Sequence, residues 1–202
     1  MQKSSETEIA ILNAAKIIFL RKGMEGARMQ EIADEAKINK ALLHYYFRSK
    51  ENLFDAVFEE AIQKLFPQMI KILNSDKDFF DKIRDFFIVH GEFLLENPFM
   101  PAFIMHEMQR NPDRIIKRMP DFQSISKGNF MVQCEQEILE GRIKPIKPFH
   151  LIFNLLSLSI FPIVSRPLMQ ATFQISDKNY IDFIKERMLT LGDFVINAIK
   201  VS

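Results

Sequence analysis

Cysteine is almost absent: Cys134 stands alone in 202 residues. One thiol excludes an internal disulfide framework, and with it the small secreted scaffolds that depend on one. Histidine is sparse too. His44, His90, His106 and His150 lie far apart, so no metal cluster is expected. His106-Glu107 opens like the zinc motif H-E-x-x-H, but Arg110 stands where the second histidine belongs. The G-x-S-x-G, P-loop and Rossmann fingerprints are missing, and the sequence reads as neither an enzyme nor a cofactor carrier. Long apolar runs are lacking as well. Residues 151–164 are interrupted by Asn154, Ser157, Ser159 and Pro162, short of the ~18 residues that span a bilayer. The N-terminal MQKSSETE is polar, without the apolar core of a signal peptide. Together these features predict a cytoplasmic protein that does not enter a membrane. Alternating Val/Ile/Thr runs with hairpin signals, internal repeats and low-complexity segments are all missing, so strands are not expected.

What is present is helical periodicity. Hydrophobic content of 48% with 26% charged residues suits a globular protein, and a chain of this size buries roughly 70% of its unfolded surface. Ile11, Ala14, Ala15, Ile18 and Phe19 form one stripe of a first helix, with Gly23 as its stop. Met29, Ile32, Ala33 and Ala36 give the apolar face of a second. Asn39 can cap a third, whose Leu43 and Phe47 point inward. Lys40, Ala41, Leu42, His44 and Tyr45 are thereby turned outward. Ser49 can cap a fourth helix through Leu53, Phe54, Val57, Phe58, Ala61 and Leu65, kinked or ended at Pro67. Further helices are predicted over about 77–96, 99–110, 121–140, 147–165 and 178–200, with breaks at prolines and glycines between them. The expectation is an all-α chain of about nine helices.

The net charge of +1 is uninformative, but its distribution is not. Residues 1–50 carry nine Lys and Arg against six Asp and Glu. Arg28, Lys37, Lys40, Arg48 and Lys50 crowd one short stretch. Such a cluster alone is more often a solvated basic face than a binding surface. Two short helices joined by a tight turn, the second rich in Lys, His and Tyr, have the form that places a helix in the DNA major groove. Arg28 and Lys50 can meet phosphates, and Tyr45 and Tyr46 can grip sugar-phosphate. Lys40 can donate to guanine, Ala41 and Leu42 can meet thymine methyls, and His44 can reach a base edge. Asn39, at the head of that helix, belongs to the same set.

Residues 9–58 resemble the DNA-binding domain of the TetR (tetracycline-repressor-like) family of bacterial regulators. ILNAAKIIFLRKG is similar to the family's first helix. ARMQEIADEAKINKALLHYYFRSKENLF is similar to its helix-turn-helix and the start of its fourth helix. The resemblance implies phosphate contacts at Arg28, Tyr45, Tyr46 and Lys50, and base reading at Lys40, Ala41, Leu42 and His44. Two departures stand out. Lys37 occupies the turn position where the family usually has Gly, which predicts a left-handed or otherwise costly backbone. Arg28 stands where a capping Thr or Ser is frequent.

The resemblance further implies a three-helix DNA-binding domain over residues 1–50. Residues 51–202 would form a helical ligand-binding and dimerisation domain. The function implied is a ligand-responsive transcriptional regulator, a repressor released from double-stranded operator DNA. The resemblance does not carry the ligand's identity; the Phe- and Met-rich composition of the body points to a small apolar or aromatic molecule. An activator of the same fold and a helical interaction protein without DNA function are the alternatives. The 20 Phe and 11 Met residues suit either a core or an apolar pocket. Phe87, Phe103, His106, Met131 and Cys134 are the expected ligand-binding set, with His90, Gln109 and Asn129 as further polar anchors. Homodimerisation is expected through the last two helices. Ile181, Ile184, Met188, Leu191, Val195 and Ala198 form a 3,4-spaced seam on the last. Ile152, Leu155, Leu156, Ser159 and Ile163 form one on the helix before it. Either seam can be core or interface.

Overall fold

The computed structural model describes residues 2–110, 112–118 and 128–201, without the side chains of residues 2–5, 20, 64, 66, 103, 106, 107, 110, 114, 115 and 118. The described residues form eleven α-helices and no strand. They are α1 (Gln2–Gly26), α2 (Met29–Glu35), α3 (Lys40–Tyr46), α4 (Lys50–Leu73), α5 (Phe79–Glu96) and α6 (Met100–Arg110). There follow α7 (Pro112–Arg118), α8 (Asn129–Leu139), α9 (Pro148–Val164), α10 (Arg166–Phe173) and α11 (Asp177–Ile199). An isolated bridge between Ile143 and Lys200 ties the chain after α8 to the end of α11.

Two of these helices, α7 and α10, were not expected. α7 begins at Pro112, which reads as a break, and α10 carries Pro167 in its first turn. A proline in the first helical turn forfeits no intrahelical bond, because the N–H it lacks would have had no partner there. The helix predicted over 121–140 is described from Asn129 to Leu139; residues 121–127 lie outside the described residues. Gly23 breaks the helical dihedrals of α1 at φ 66°, yet the helix resumes to Gly26.

α4 is shared between two cores. Its first half places Leu53, Phe54, Val57, Phe58, Ala61 and Ile62 in a cluster with α1, α2 and α3. Its second half places Leu65, Met69 and Leu73 in a cluster with α5, α8, α9 and α11. Pro67 lies inside the helix just past the changeover. The far end of α4 is fastened in place. The buried ammonium of Lys82 donates to the carbonyl of Leu73 at 3.1 Å, a cation on a helix C-terminus. Burial holds that ammonium's pKa below the ordinary lysine value, while Asp76 pulls it the other way. Asn129 adds bonds to Asn74 and Ser75.

The seam on α11 faces the chain's own core. Ile184, Met188, Leu191 and Val195 are buried, chiefly against α5. Two glycines let the helices approach: a Cβ on Gly192 would lie 2.9 Å from the Cα of Arg84, whereas one on Gly91 would meet only the flexible end of Met188. We therefore expect Gly192→Ala to destabilise the fold by up to about 2 kcal/mol. Overpacking costs about 1–3 kcal/mol and outweighs the roughly 1 kcal/mol that alanine gains in helix propensity. Gly91→Ala should cost less, and urea unfolding of both variants checks the order.

Apart from Ala198 at the end of the seam, the outward apolar residues of the last helices are others. Phe149, Phe153, Phe161 and Val164 on α9, and Phe183 and Phe194 on α11, are exposed. Among the described residues no single helix is long and apolar enough to cross a membrane.

Candidate nucleic-acid interface

The turn between α2 and α3 is set by backbone bonds. Ile38 N–H donates to the Ala33 carbonyl and Lys37 N–H to that of Asp34, at 3.0 and 3.1 Å. This is a Schellman closure, which requires a left-handed residue at Lys37, and there φ is 55°. The strain read from the sequence is present: a side chain in that region costs roughly 1 kcal/mol relative to glycine. In return the Lys37 side chain is exposed beside α3, where a glycine would offer no charge.

α3 starts where Asn39 accepts from the Leu42 N–H at 2.7 Å. That bond satisfies one of the donors left open at a helix start. Leu43 and Phe47 are buried in the head core, anchoring one side of the helix. Lys40, Ala41, Leu42, His44 and Tyr45 face outward, Leu42 at 37% and Tyr45 at 81% exposure. Tyr46 is half-buried against the head core, its ring edge-on to Tyr45 at 5.5 Å. His44 Nδ1 lies 3.2 Å from the Arg48 carbonyl. A carbonyl can only accept, so this contact selects the Nδ1–H form and leaves Nε2 as an outward acceptor when the ring is neutral. Such an atom suits the amino group of adenine or cytosine in the major groove.

Arg28 holds the N-cap position of α2, exposed and without a side-chain cap. Lys50 is engaged differently from expectation. Its ammonium donates to the carbonyls of Glu25 and Ala27, each at 3.2 Å, stapling the α1–α2 junction to the start of α4. A lysine has three donors, so one remains for a phosphate.

The charges are sorted by face. Glu31 pairs with Lys22 at 2.8 Å and Glu35 with Arg21 at 3.9 Å, between α2 and α1. The Lys22 hydrogen bond holds the Glu31 carboxyl below the usual carboxylate range. Lys37, Lys40 and Arg48 pair with no carboxylate among the described residues. Glu31 and Glu35 are thus neutralised away from α3, the Asp34 carboxylate accepts from Gln30, and among the described residues the positive charge of Lys37, Lys40 and Arg48 is unpaired.

The expected ligand-binding set is only partly assembled. Phe87 and Cys134 are buried in the second core, and Met131 packs against it. Burial pushes the Cys134 thiol up to about 11, so it stays protonated. The side chains of Phe103 and His106 lie outside the described residues. The cavity that Phe87 lines, with Leu158, Ser159 and Arg187, holds about 20 Å³. That is room for one water.

His90 is a buried group whose state follows from the geometry. Its Nδ1 lies 2.8 Å from the Ser159 hydroxyl, which itself donates to the Leu155 carbonyl. Burial lowers its pKa to about 4. The unfolded chain, with His near 6.5, therefore binds a proton that the folded chain refuses. The stability this neutral ring permits is full above pH 6.5 and declines as pH falls toward 4, by at most about 3 kcal/mol. Denaturant unfolding at pH 7 and pH 4.5 should show a smaller acid loss for His90→Gln than for the unaltered chain.

Comparison with known proteins agrees with this geometry. Residues 11–57 match the family described as bacterial regulatory proteins, tetR family. The chain is similar to the HTH-type transcriptional repressor NicS of Pseudomonas putida, 32% identical over 100 residues, covering 46% of this chain and 47% of that protein. It is also similar to the HTH-type transcriptional regulator RutR of Escherichia coli, 28% identical over 145 residues, covering 71% and 68%. Its match to NicS spans about half that relative's length. Among solved structures, the hemolysin II transcriptional regulator HlyIIR shares the fold, with a TM-score of 0.64 at 24% identity over 98% of this chain and 99% of that one. The all-helical body behind a helix-turn-helix head is the architecture this chain shares with HlyIIR. Over residues 11–57 the chain thus matches the tetR family of bacterial regulatory proteins, and over nearly its whole length it shares the fold of HlyIIR.

Proposed function

We propose that the protein is a DNA-binding transcriptional regulator, a cytoplasmic homodimeric repressor released from its operator by a small apolar or aromatic molecule. The observation that carries the reading is the outward face of α3. Lys40, Leu42, His44 and Tyr45 are exposed there, flanked by unneutralised Lys37 and Arg48. An exposed leucine beside unpaired cations fits a groove that offers phosphates and thymine methyls. Asn39 sets the helix start, Ala41 faces the bases with Leu42, and Arg28, Tyr46 and Lys50 flank them at the phosphates.

In this reading residues 1–50 bind DNA and residues 51–202 bind the effector and the second copy. The exposed Phe residues of α9 and α11 supply the dimer contact. The effector is held by Phe87, Phe103, His106, Met131 and Cys134. α4 couples the two parts, because its halves belong to different cores. Met100 at the start of α6 is buried in the head core as well, a second mechanical link. A ligand that prefers the released state by 100-fold shifts the equilibrium by about 2.7 kcal/mol. Titration of operator DNA in rising concentrations of candidate apolar effectors tests the switch. Falling affinity with at least one is the expected result; equal affinity with all removes it.

A further inference from the structure

Glu92 and Glu96 stand one turn apart on α5, both exposed, and neither pairs with a cation among the described residues. Like charges at this spacing repel, so an arrangement of this kind is unfavourable without a counter-charge. Both border a groove of about 390 Å³ between α1, α4 and α5. Its volume falls within the range of small-molecule sites. Leu65, Val89 and Phe93 supply apolar surface in it, buried or half-buried, while the two carboxylates lie on its exposed side. Lys16, the described lysine in the groove, is already held by Glu60 at 2.6 Å. The described lining therefore combines an apolar floor with carboxylates that have no cation of their own.

We propose that this groove binds an organic cation with a flat apolar body. Its ammonium sits between Glu92 and Glu96, and its apolar part lies on Leu65, Val89 and Phe93. This site is separate from the buried set around Phe87 and Cys134. Its walls come from both sides of the changeover in α4: Lys16 and Ala61 belong with the head, and α5 with the body. An occupant therefore touches both parts. Any effect on operator binding rests on the regulator reading; the binding itself does not.

Calorimetric titration of the full chain with naphthylmethylammonium, and with neutral naphthylmethanol, tests the site without any substitution. The ammonium is expected to bind at least tenfold more tightly than the alcohol. In the variant Glu92→Gln/Glu96→Gln, with helical circular dichroism unchanged, that preference should vanish. Equal affinity for amine and alcohol, no binding of the amine, or an unchanged preference in the double variant would each overturn the proposal. Operator affinity measured on the same samples separates the two readings. Amine preference without DNA binding supports the site and removes the regulator reading. DNA binding without amine preference removes the site alone.

Discussion

Lys40→Ala is expected to weaken binding to the best operator by tenfold or more and to flatten preference at one position of each half-site. Lys40 is the first residue of α3, exposed and paired with no carboxylate. A lysine there can reach the acceptor edge of guanine, and a good base contact is worth about 1–3 kcal/mol of discrimination. In a symmetric dimer the loss occurs twice. Tyr45→Ala should behave otherwise. Its ring is 81% exposed, edge-on to Tyr46, so its removal leaves the head core intact. A contact to sugar-phosphate carries no sequence information, so affinity should fall alike on all duplexes. Binding isotherms on operator and scrambled duplexes, repeated over a range of salt, separate the two patterns. Both variants binding like the unaltered chain would show that α3 does not dock as described.

Phe153→Glu with Phe194→Glu is expected to convert a dimer into monomers, raising the dissociation constant at least 100-fold. Both rings are exposed, Phe153 at 52% and Phe194 at 63%, so neither supports the protomer's core. A carboxylate buried at an interface without a partner costs about 3–5 kcal/mol, and every 1.4 kcal/mol is tenfold in affinity. Sedimentation velocity reads the outcome, with circular dichroism confirming that the helices persist. Operator binding should fall together with dimerisation, since two heads on one duplex supply the affinity. A doubly substituted chain that still sediments as a dimer would place the interface elsewhere.

The head was legible because each of its devices is local. Asn39 caps within its own turn, Leu43 and Phe47 repeat at helical spacing, and Lys37 stands at a turn position whose left-handed backbone costs an ordinary residue strain. The body was less so, for two physical reasons. Prolines 112 and 167 are signals of interruption and of initiation alike, and only the fold decides which. The seam on α11 shows the second. A 3,4-spaced apolar stripe states that a helix is covered, not by what. Ile184, Met188, Leu191 and Val195 turned out to cover α5, while Phe183 and Phe194 stayed outside. Lys50 shows a third kind of gap: its ammonium closes the end of α1 through contacts 23 and 25 residues away, which no local pattern announces. The groove beside Glu92 and Glu96 likewise exists only once α1, α4 and α5 are brought together.

Selection of bound duplexes from a random pool by the purified protein tests the central claim most directly. Enrichment of an inverted repeat, its two halves centred about one helical turn or a whole number of turns apart, is the result the account predicts. A pool that returns no sequence above its starting frequency would contradict it.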